Sequence, residues 1–337
     1  MKTIAITGGG TGGHLVIAKA LKEAALKEGL EIIYFGSTYG QDRDWFEKDA
    51  GFQAKYFFET TGVVNQGKLG KILALFKIAL SLFQARKLLT RHKVQAVISV
   101  GGYSAAAASF AAISKKIPLY IHEQNASIGK LNATLKYFAK DFFSSYGENP
   151  THYPVREVLF ERKRLRDEVK TVIFLGGSQG AKAINELALE FATPLSQKGI
   201  KIIHQCGKNH LEPMKKSYKD MNIEVELFDF SNKIADYLDQ ADFAIARAGA
   251  STVWELTALQ LPAIFIPFPY AANDHQRANA QSHVDNEASW MMLESALEKD
   301  KILDIIDTGV KTQSQKLSTM IAPNGAQEII EKIIQNN

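Results

Sequence analysis

The sequence has a single cysteine, Cys206, in 337 residues. No disulfide can form within one chain and no thiolate metal cluster can be assembled, so a reducing, cytoplasmic setting is expected. Charge of one sign is also scarce: the formal net charge is +4. That is too small to argue for nucleic acid, and no nucleic-acid partner is expected. The opening "MKTIAITGGG" carries too few apolar residues before its glycines for a secretory h-region. The longest uncharged run in the first half, "VQAVISVGGYSAAAASFAAIS" (94–114), has the length of a membrane span. "GGYS" interrupts it and small residues dilute it. It reads as strand, loop and helix, with a spanning helix as the alternative. What remains is a chain of ordinary globular composition, 46% apolar and 23% charged, long enough for two domains.

Short β-branched runs that stop at glycine or polar residues recur along it. "TIAIT" (3–7), "EIIYFGS", "QAVISVGG" (95–102) and "IPLYIHEQ" (117–124) are separated by spacers long enough for helices. Strands alternating with helices predict βαβ units and a parallel sheet. The second half starts over with "KTVIFLGGSQGAKAIN" (170–185), then "IKIIHQCG", "IEVELFDF", "ADFAIARAG" and "PAIFIPFP". The prediction is an α/β protein of two doubly wound, Rossmann-like domains: 1–150, a charged linker 151–169, 170–322, and a terminal helix in 323–337. A cleft between two such halves would face the carboxyl ends of both sheets, where open α/β sheets bind ligands.

"ITGGGTGGHL" (6–15) holds five glycines. A loop that leaves a strand and opens a helix offers backbone N–H groups and a partial positive charge to phosphate. Gly8, Gly10 and Gly13 match G-x-G-x-x-G. However, the second strand ends in Gly36-Ser37-Thr38, without the acid that a dinucleotide site places on the ribose, which counts against an NAD enzyme. A tight turn without a ligand explains one or two glycines better than five. His14, in the first turn of the helix, either caps that helix or meets a ligand hydroxyl and takes its proton. "GGSQGA" repeats the anion-site logic, with Ser178 as a hydroxyl donor. In "ARAGASTVWEL", Thr252 and Glu255 are spaced as a capping box; alternatively Glu255 accepts from two ribose hydroxyls. Asp274, His275, Gln276 and Asn279 form a polar group after the last strand, and "HEQN" (122–125) ends another.

"GGTGGH", "GGY", "HEQN", "PVR", "GGSQGA", "GASTVWE" and "PFP…DHQ…NA" stand in the order and spacing of one family. Over essentially its whole length the chain resembles the MurG family of N-acetylglucosaminyltransferases, which convert lipid I to lipid II in peptidoglycan synthesis. The resemblance implies a GT-B fold and an inverting transfer with no metal or other cofactor. The implied donor is UDP-N-acetylglucosamine. The implied acceptor is lipid I, undecaprenyl-diphosphate-MurNAc-pentapeptide. By matched motif, Ser178, Arg156, Ser231, Ala250, Ser251, Thr252, Glu255 and Gln276 hold the donor, joined by Thr11, Gly12, Gly13 and Asn125. His14 is the implied base for the acceptor C4 hydroxyl, with Glu123 as second candidate. After "GGH" the family commonly has a proline where this chain has "LVIA", and after "GGY" it has glycines where this chain has "SAAAASFAA".

Residues 68–93, "KLGKILALFKIALSLFQARKLLTRHK", carry Lys68, Lys71, Lys77, Arg86, Lys87, Arg91 and Lys93 and no acid. Ile72, Leu75, Phe76, Leu82 and Phe83 lie among them. Such a basic amphipathic segment suits the headgroup boundary of an anionic leaflet. A peripheral enzyme on the cytoplasmic face of the inner membrane is expected; a core helix with a solvated basic face is the alternative. Rival functions are another GT-B UDP-sugar enzyme, such as a soluble-acceptor transferase or a UDP-N-acetylglucosamine 2-epimerase, and a non-catalytic nucleotide-binding protein.

Overall fold

The structure is a computed structural model that describes residues 1–61, 67–147, 150–177, 179–231 and 233–337. The chain divides into two units, Met1–Arg156 with Asn324–Asn337, and Glu157–Pro323.

In the first unit β1 (Thr3–Thr7), β2 (Glu31–Ser37), β3 (Ala54–Phe58), β4 (Ala96–Ser99), β5 (Leu119–Glu123) and β6 (Asp141–Ser144) form a parallel sheet in the order β3-β2-β1-β4-β5-β6. Every residue of β1 is buried, as an apolar run covered on both faces requires. Thr7 pairs in register with both Phe35 and Ser99. The winding direction reverses between β1 and β4, so the turns after these strands emerge side by side, where doubly wound sheets bind ligands. The helices are α1 (Gly12–Lys27), α2 (Asp42–Phe46), α3 (Lys68–Arg91), α4 (Ala106–Ser114), α5 (Lys130–Leu135) and a terminal helix, Gly325–Gln335. Ala85 and Leu89 of α3 pack with Ala107, Ala108, Ala111 and Ala112 of α4 over Val97 and Ile121 of the sheet. The alanine run after "GGY" is therefore a buried helix whose small side chains let α3 approach closely. The stretch 94–114 is strand, turn and helix, and no described helix is long and apolar enough to cross a membrane.

The terminal helix packs on α1, so the chain's end returns to the first unit. Residues 151–156 also belong there, whereas 157–169 belong to the second unit. Within that charged stretch, Arg166 is fully buried and donates to the carbonyls of Arg164, Ala241 and Leu259. Reading 151–169 as a linker overlooked this, because a run of charges does not reveal which charge is buried.

The second unit repeats the winding. β7 (Thr171–Leu175), β8 (Lys201–Gln205), β9 (Glu226–Phe228), β10 (Phe243–Ala246), β11 (Ala263–Phe265) and β12 (Trp290–Met291) are parallel in the order β12-β11-β10-β7-β8-β9. The reversal falls between β7 and β10, whose ends Leu175 and Ala246 pair. The helices are α6 (Glu157–Phe160), α7 (Lys182–Gln197), α8 (Leu211–Asp220), α9 (Ile234–Gln240), α10 (Ala250–Ala258), α11 (His275–Asp285), α12 (Lys299–Thr308) and α13 (Lys311–Leu317).

Both units bury neutral histidines. Burial pushes His122 in the first unit and His204 in the second down to about 3, and His283 in the second to about 4. The neutral form is the folded one. Above pH 6.5 these residues therefore leave stability unchanged, and below it the unfolded chain takes up protons that the folded chain refuses. Each histidine is expected to cost up to about 1.4 kcal/mol per pH unit below that point, until its folded value is reached. Urea unfolding at pH 7, 6 and 5 checks this; a midpoint independent of pH contradicts it.

Candidate active site

The first glycine turn leaves β1 at Gly8. Gly8 has φ +124°, and a Cβ there would lie 2.4 Å from the Gly101 carbonyl oxygen. Gly102, with φ +76°, faces it: its Cβ would lie 2.2 Å from the Gly9 carbonyl oxygen. Two turns thus pack backbone on backbone, which only glycine permits. Gly102→Ala is expected to cost about 2–4 kcal/mol through this overlap and the left-handed conformation; an unchanged melting temperature contradicts the packing.

The loop's amides are directed inward. Gly8 N–H donates to Phe35 O at 3.3 Å, Gly9 N–H to Gly101 O at 3.2 Å and Gly10 N–H to Asp42 Oδ2 at 2.6 Å. Asp42 is fully buried. It also accepts from Ser37 N–H at 3.0 Å and from the Tyr34 hydroxyl at 3.1 Å, and that hydroxyl lies 2.9 Å from Gly8 O. Burial pushes the Asp42 carboxyl up, against the pull of the Ser37 and Gly10 amides. Against the expectation from the glycine motif, the Gly8, Gly9 and Gly10 amides are engaged within the unit and build the turn, and they do not present a phosphate cradle. Beyond that turn, Thr11 is the N-cap of α1 and Gly12 and Gly13 begin it. Thr11 is exposed and does not cap the helix with its side chain.

His14 lies in the first turn of α1. Its Nδ1 is 2.9 Å from Thr11 Oγ1 and its Nε2 is 3.0 Å from Gln124 Nε2. Its ring also packs over Gly101, where a Cβ would lie 3.3 Å from Nε2. The polar end of β5 is therefore brought to His14, but Glu123 is not offered to a ligand. It is 2% exposed and accepts from four donors. Oε1 takes Asn125 N–H at 3.0 Å and Asn125 Nδ2 at 3.4 Å; Oε2 takes Gly129 N–H and Asn132 Nδ2, both at 2.9 Å. Glu123 folds the 124–132 loop around itself, and that geometry counts against it as a base. Arg156 closes the first unit beside α1, its Nε 3.8 Å from Glu23 Oε1 and without a hydrogen bond of its own.

In the second unit the turn after β7 is closed by Gly180 N–H donating to Gly177 O at 2.9 Å, and α7 follows without a side-chain cap. Ser178 lies outside the described residues. After β10, Gly249 is the cap of α10. Thr252 and Glu255 therefore stand inside the helix and are not a capping box. Ala250 and Ser251 are buried, while Thr252 and Glu255 are half-buried. Ser231 accepts Lys233 N–H at 3.0 Å. Gln276 Oε1 accepts Phe268 N–H at 2.9 Å, and the buried Asn279 donates to Ala248 O at 3.2 Å. Thus Asn279 and Gln276 join α11 to the turns beside it.

Two organising residues escaped the sequence reading. Asp42 sits in "QDRDWF", which looks like any charged surface run. Arg247 follows the buried strand "FAIA" directly, and a cation at that position was the available signal. Its guanidinium donates to Ile266 O at 3.0 Å and Pro267 O at 3.2 Å, pairs with Glu294, and lies over the Phe268 ring. It holds the "PFP" turn in place.

On α3, Ile72, Leu75, Phe76 and Phe83 are exposed by 56–65%. Leu73 and Leu80 join them. Leu82 does not: it packs on the first unit's core, because it shares a helical face with the buried Ala85 and Leu89.

Two family descriptions match the chain. The glycosyltransferase family 28 N-terminal domain covers residues 4–144, and the family 28 C-terminal domain covers residues 171–335. A protein of Sulfurovum sp. named UDP-N-acetylglucosamine--N-acetylmuramyl-(pentapeptide) pyrophosphoryl-undecaprenol N-acetylglucosamine transferase is 50% identical over 331 residues, 98% of this chain and 97% of that protein. Its namesake in Campylobacter hominis is 51% identical over 335 residues, 99% of this chain and 98% of that protein. The crystal structure of Acinetobacter baumannii MurG matches with TM-score 0.76 at 28% identity, over 99% of this chain and 100% of that one. A UDP-GlcNAc 2-epimerase from Neisseria meningitidis shares the fold, with TM-score 0.66 at 14% identity over 100% of both chains. With two like-wound units, the glycine turns at both strand reversals and relatives at half identity end to end, the chain belongs to glycosyltransferase family 28 and, within it, to the MurG family, and has the GT-B fold.

Proposed function

We propose that this chain moves N-acetylglucosamine from UDP-N-acetylglucosamine to the C4 hydroxyl of the MurNAc-pentapeptide of undecaprenyl-diphosphate-linked lipid I. The observation that carries this reading is the half identity to transferases of that name over 98% of the chain. In this reading the second unit takes the donor and the first unit presents the acceptor. His14 accepts the C4 hydroxyl proton as the oxygen attacks the sugar's C1 and the bond from C1 to the diphosphate breaks. The leaving diphosphate gains negative charge, which the starts of α7 and α10 and Arg156 offset. Ser178 and Ser251 add hydroxyl donors. Glu255 suits a ribose diol, since both its oxygens accept. Gln276 has its oxygen engaged, so it offers its NH2. Thr11, Gly12, Gly13 and Asn125 complete the contacts, and Ser231, Ala250 and Thr252 line the uridine side.

The test is transfer of radiolabel from UDP-N-acetylglucosamine to a lipid I analogue, with other UDP-sugars as controls. Label is expected in the lipid phase with the N-acetylglucosamine donor. Label retained in water, or equal use of every UDP-sugar, overturns the reading.

A lipid-linked acceptor requires contact with a bilayer, and the exposed apolar stripe of α3, followed by Arg86, Lys87 and Arg91, suits an anionic cytoplasmic leaflet. Replacing Ile72, Phe76 and Phe83 by serine is expected to weaken binding to anionic vesicles about 100-fold, since each large apolar side chain contributes about 1 kcal/mol or more at the interface. The melting temperature stays unchanged. Vesicle sedimentation measures this, and equal binding to neutral and anionic lipid contradicts it.

A further inference from the structure

Gln124 has no part in the chemistry above, yet it is 7% exposed and its amide nitrogen lies 3.0 Å from His14 Nε2. An amide NH2 only donates. In this arrangement Nε2 is the accepting nitrogen of a neutral ring, and Nδ1 carries the proton and donates to Thr11 Oγ1 at 2.9 Å. The nitrogen on the exposed Thr11 side then has no lone pair to offer a hydroxyl, and the nitrogen that has one is covered. As it stands, His14 is not a base toward a ligand that arrives at Thr11.

Gln124 Oε1 is meanwhile buried without a hydrogen-bond partner, a costly state for an acceptor. A half-turn about the last side-chain bond exchanges the two ends of the amide. Oε1 then accepts from Nε2–H, and Nδ1 becomes the lone-pair nitrogen facing Thr11. Acceptors without donors are buried nearby. Asn132 Oδ1 is one; its amide group and the His14 ring both stand 3.2–3.3 Å from the position of a Gly101 Cβ. The neutral His122 ring supplies another, since one of its two unpartnered nitrogens carries the proton and the other accepts.

We propose that Gln124 is a positioning residue that sets which nitrogen of His14 is basic. The donating amide holds a resting tautomer, and the turned amide arms Nδ1 for the acceptor hydroxyl. The arming step rests on the reading of His14 as the base. The proton passes from the C4 hydroxyl to Nδ1, the bond from O4 to C1 forms, and the bond from C1 to UDP breaks with its electron pair on the diphosphate. The imidazolium that results donates Nε2–H to Oε1, and Gln124 gains and loses no proton.

Two readouts test this on the full-length protein. In histidine-15N-labelled protein, two-bond 15N–1H correlation spectra separate the tautomers. Without substrates, His14 is expected as Nδ1–H. Q124M is expected to lose that preference, and Q124E, whose oxygens only accept, to hold a proton on Nε2. In transfer assays Q124M is expected to lower kcat about 10- to 100-fold, with donor KM within about twofold of wild type. Q124E is expected to restore a large part of that loss. Wild-type kcat in Q124M, or a His14 tautomer indifferent to both substitutions, overturns the proposal. If His14→Asn keeps its turnover while Q124M still shifts the tautomer, the base reading and the arming step fall, and tautomer control by Gln124 stands.

Discussion

Replacing His14 by asparagine is expected to lower kcat for sugar transfer by about 10²- to 10⁴-fold, the usual contribution of a positioned proton acceptor. Donor KM should change far less, because the substitution reaches the proposed donor contacts through Thr11 Oγ1 and leaves the residues of the second unit as they are. His14 is the titratable side chain that the first unit places in the first turn of α1, beside the exposed Thr11 and at the strand reversal. Its ring is held at both nitrogens and packed against Gly101. Single-turnover kinetics with a lipid I analogue separate the chemical step from product release. A turnover within about threefold of wild type would remove His14 from the mechanism, since a positioned base contributes far more than that.

Glu123→Gln is expected to unfold the 124–132 loop's anchor and to lower the melting temperature of the first unit by about 5–15 °C. The reason is a count of donors. Four N–H groups converge on two carboxylate oxygens. An amide has one oxygen, so its NH2 faces two donors, and each buried donor left unpaired costs about 1–3 kcal/mol. Activity falls with the loop, because Asn125 and the residues beside it lose their positions. A Glu123 that served as base would behave differently: the variant would melt like wild type and lose rate only. Thermal unfolding followed beside the rate therefore distinguishes an anchor from a base.

The fold was largely legible in the sequence, for a physical reason. Strands buried on both faces, such as "TIAIT" and "TVIFL", must be continuously apolar, and the glycine turns mark where each one ends. Edge strands are less marked. β3 is mostly half-buried and β12 is two residues long, so neither carries the pattern. The site was legible at the level of segments and less so at the level of atoms. "GGTGGH" marked a strand-to-helix turn, but Asp42, far along the chain, takes the Gly10 amide that the glycines suggested was free for phosphate. "HEQN" marked four polar residues at a strand end, but three of them, His122, Glu123 and Gln124, are buried. On α3, composition pointed to an apolar and basic surface, and helical geometry then moved Leu82 to the core and added Leu73 and Leu80 to the exposed face.

The most direct test follows the labelled sugar itself. UDP-N-acetylglucosamine carrying 13C at C1 is incubated with the enzyme and a lipid I analogue, and the products are read by NMR. The account requires one UDP released for each new glycosidic bond to the muramoyl C4 oxygen, with the anomeric configuration inverted. Label appearing as free or 2-epimerised sugar, or a bond of retained configuration, would contradict it.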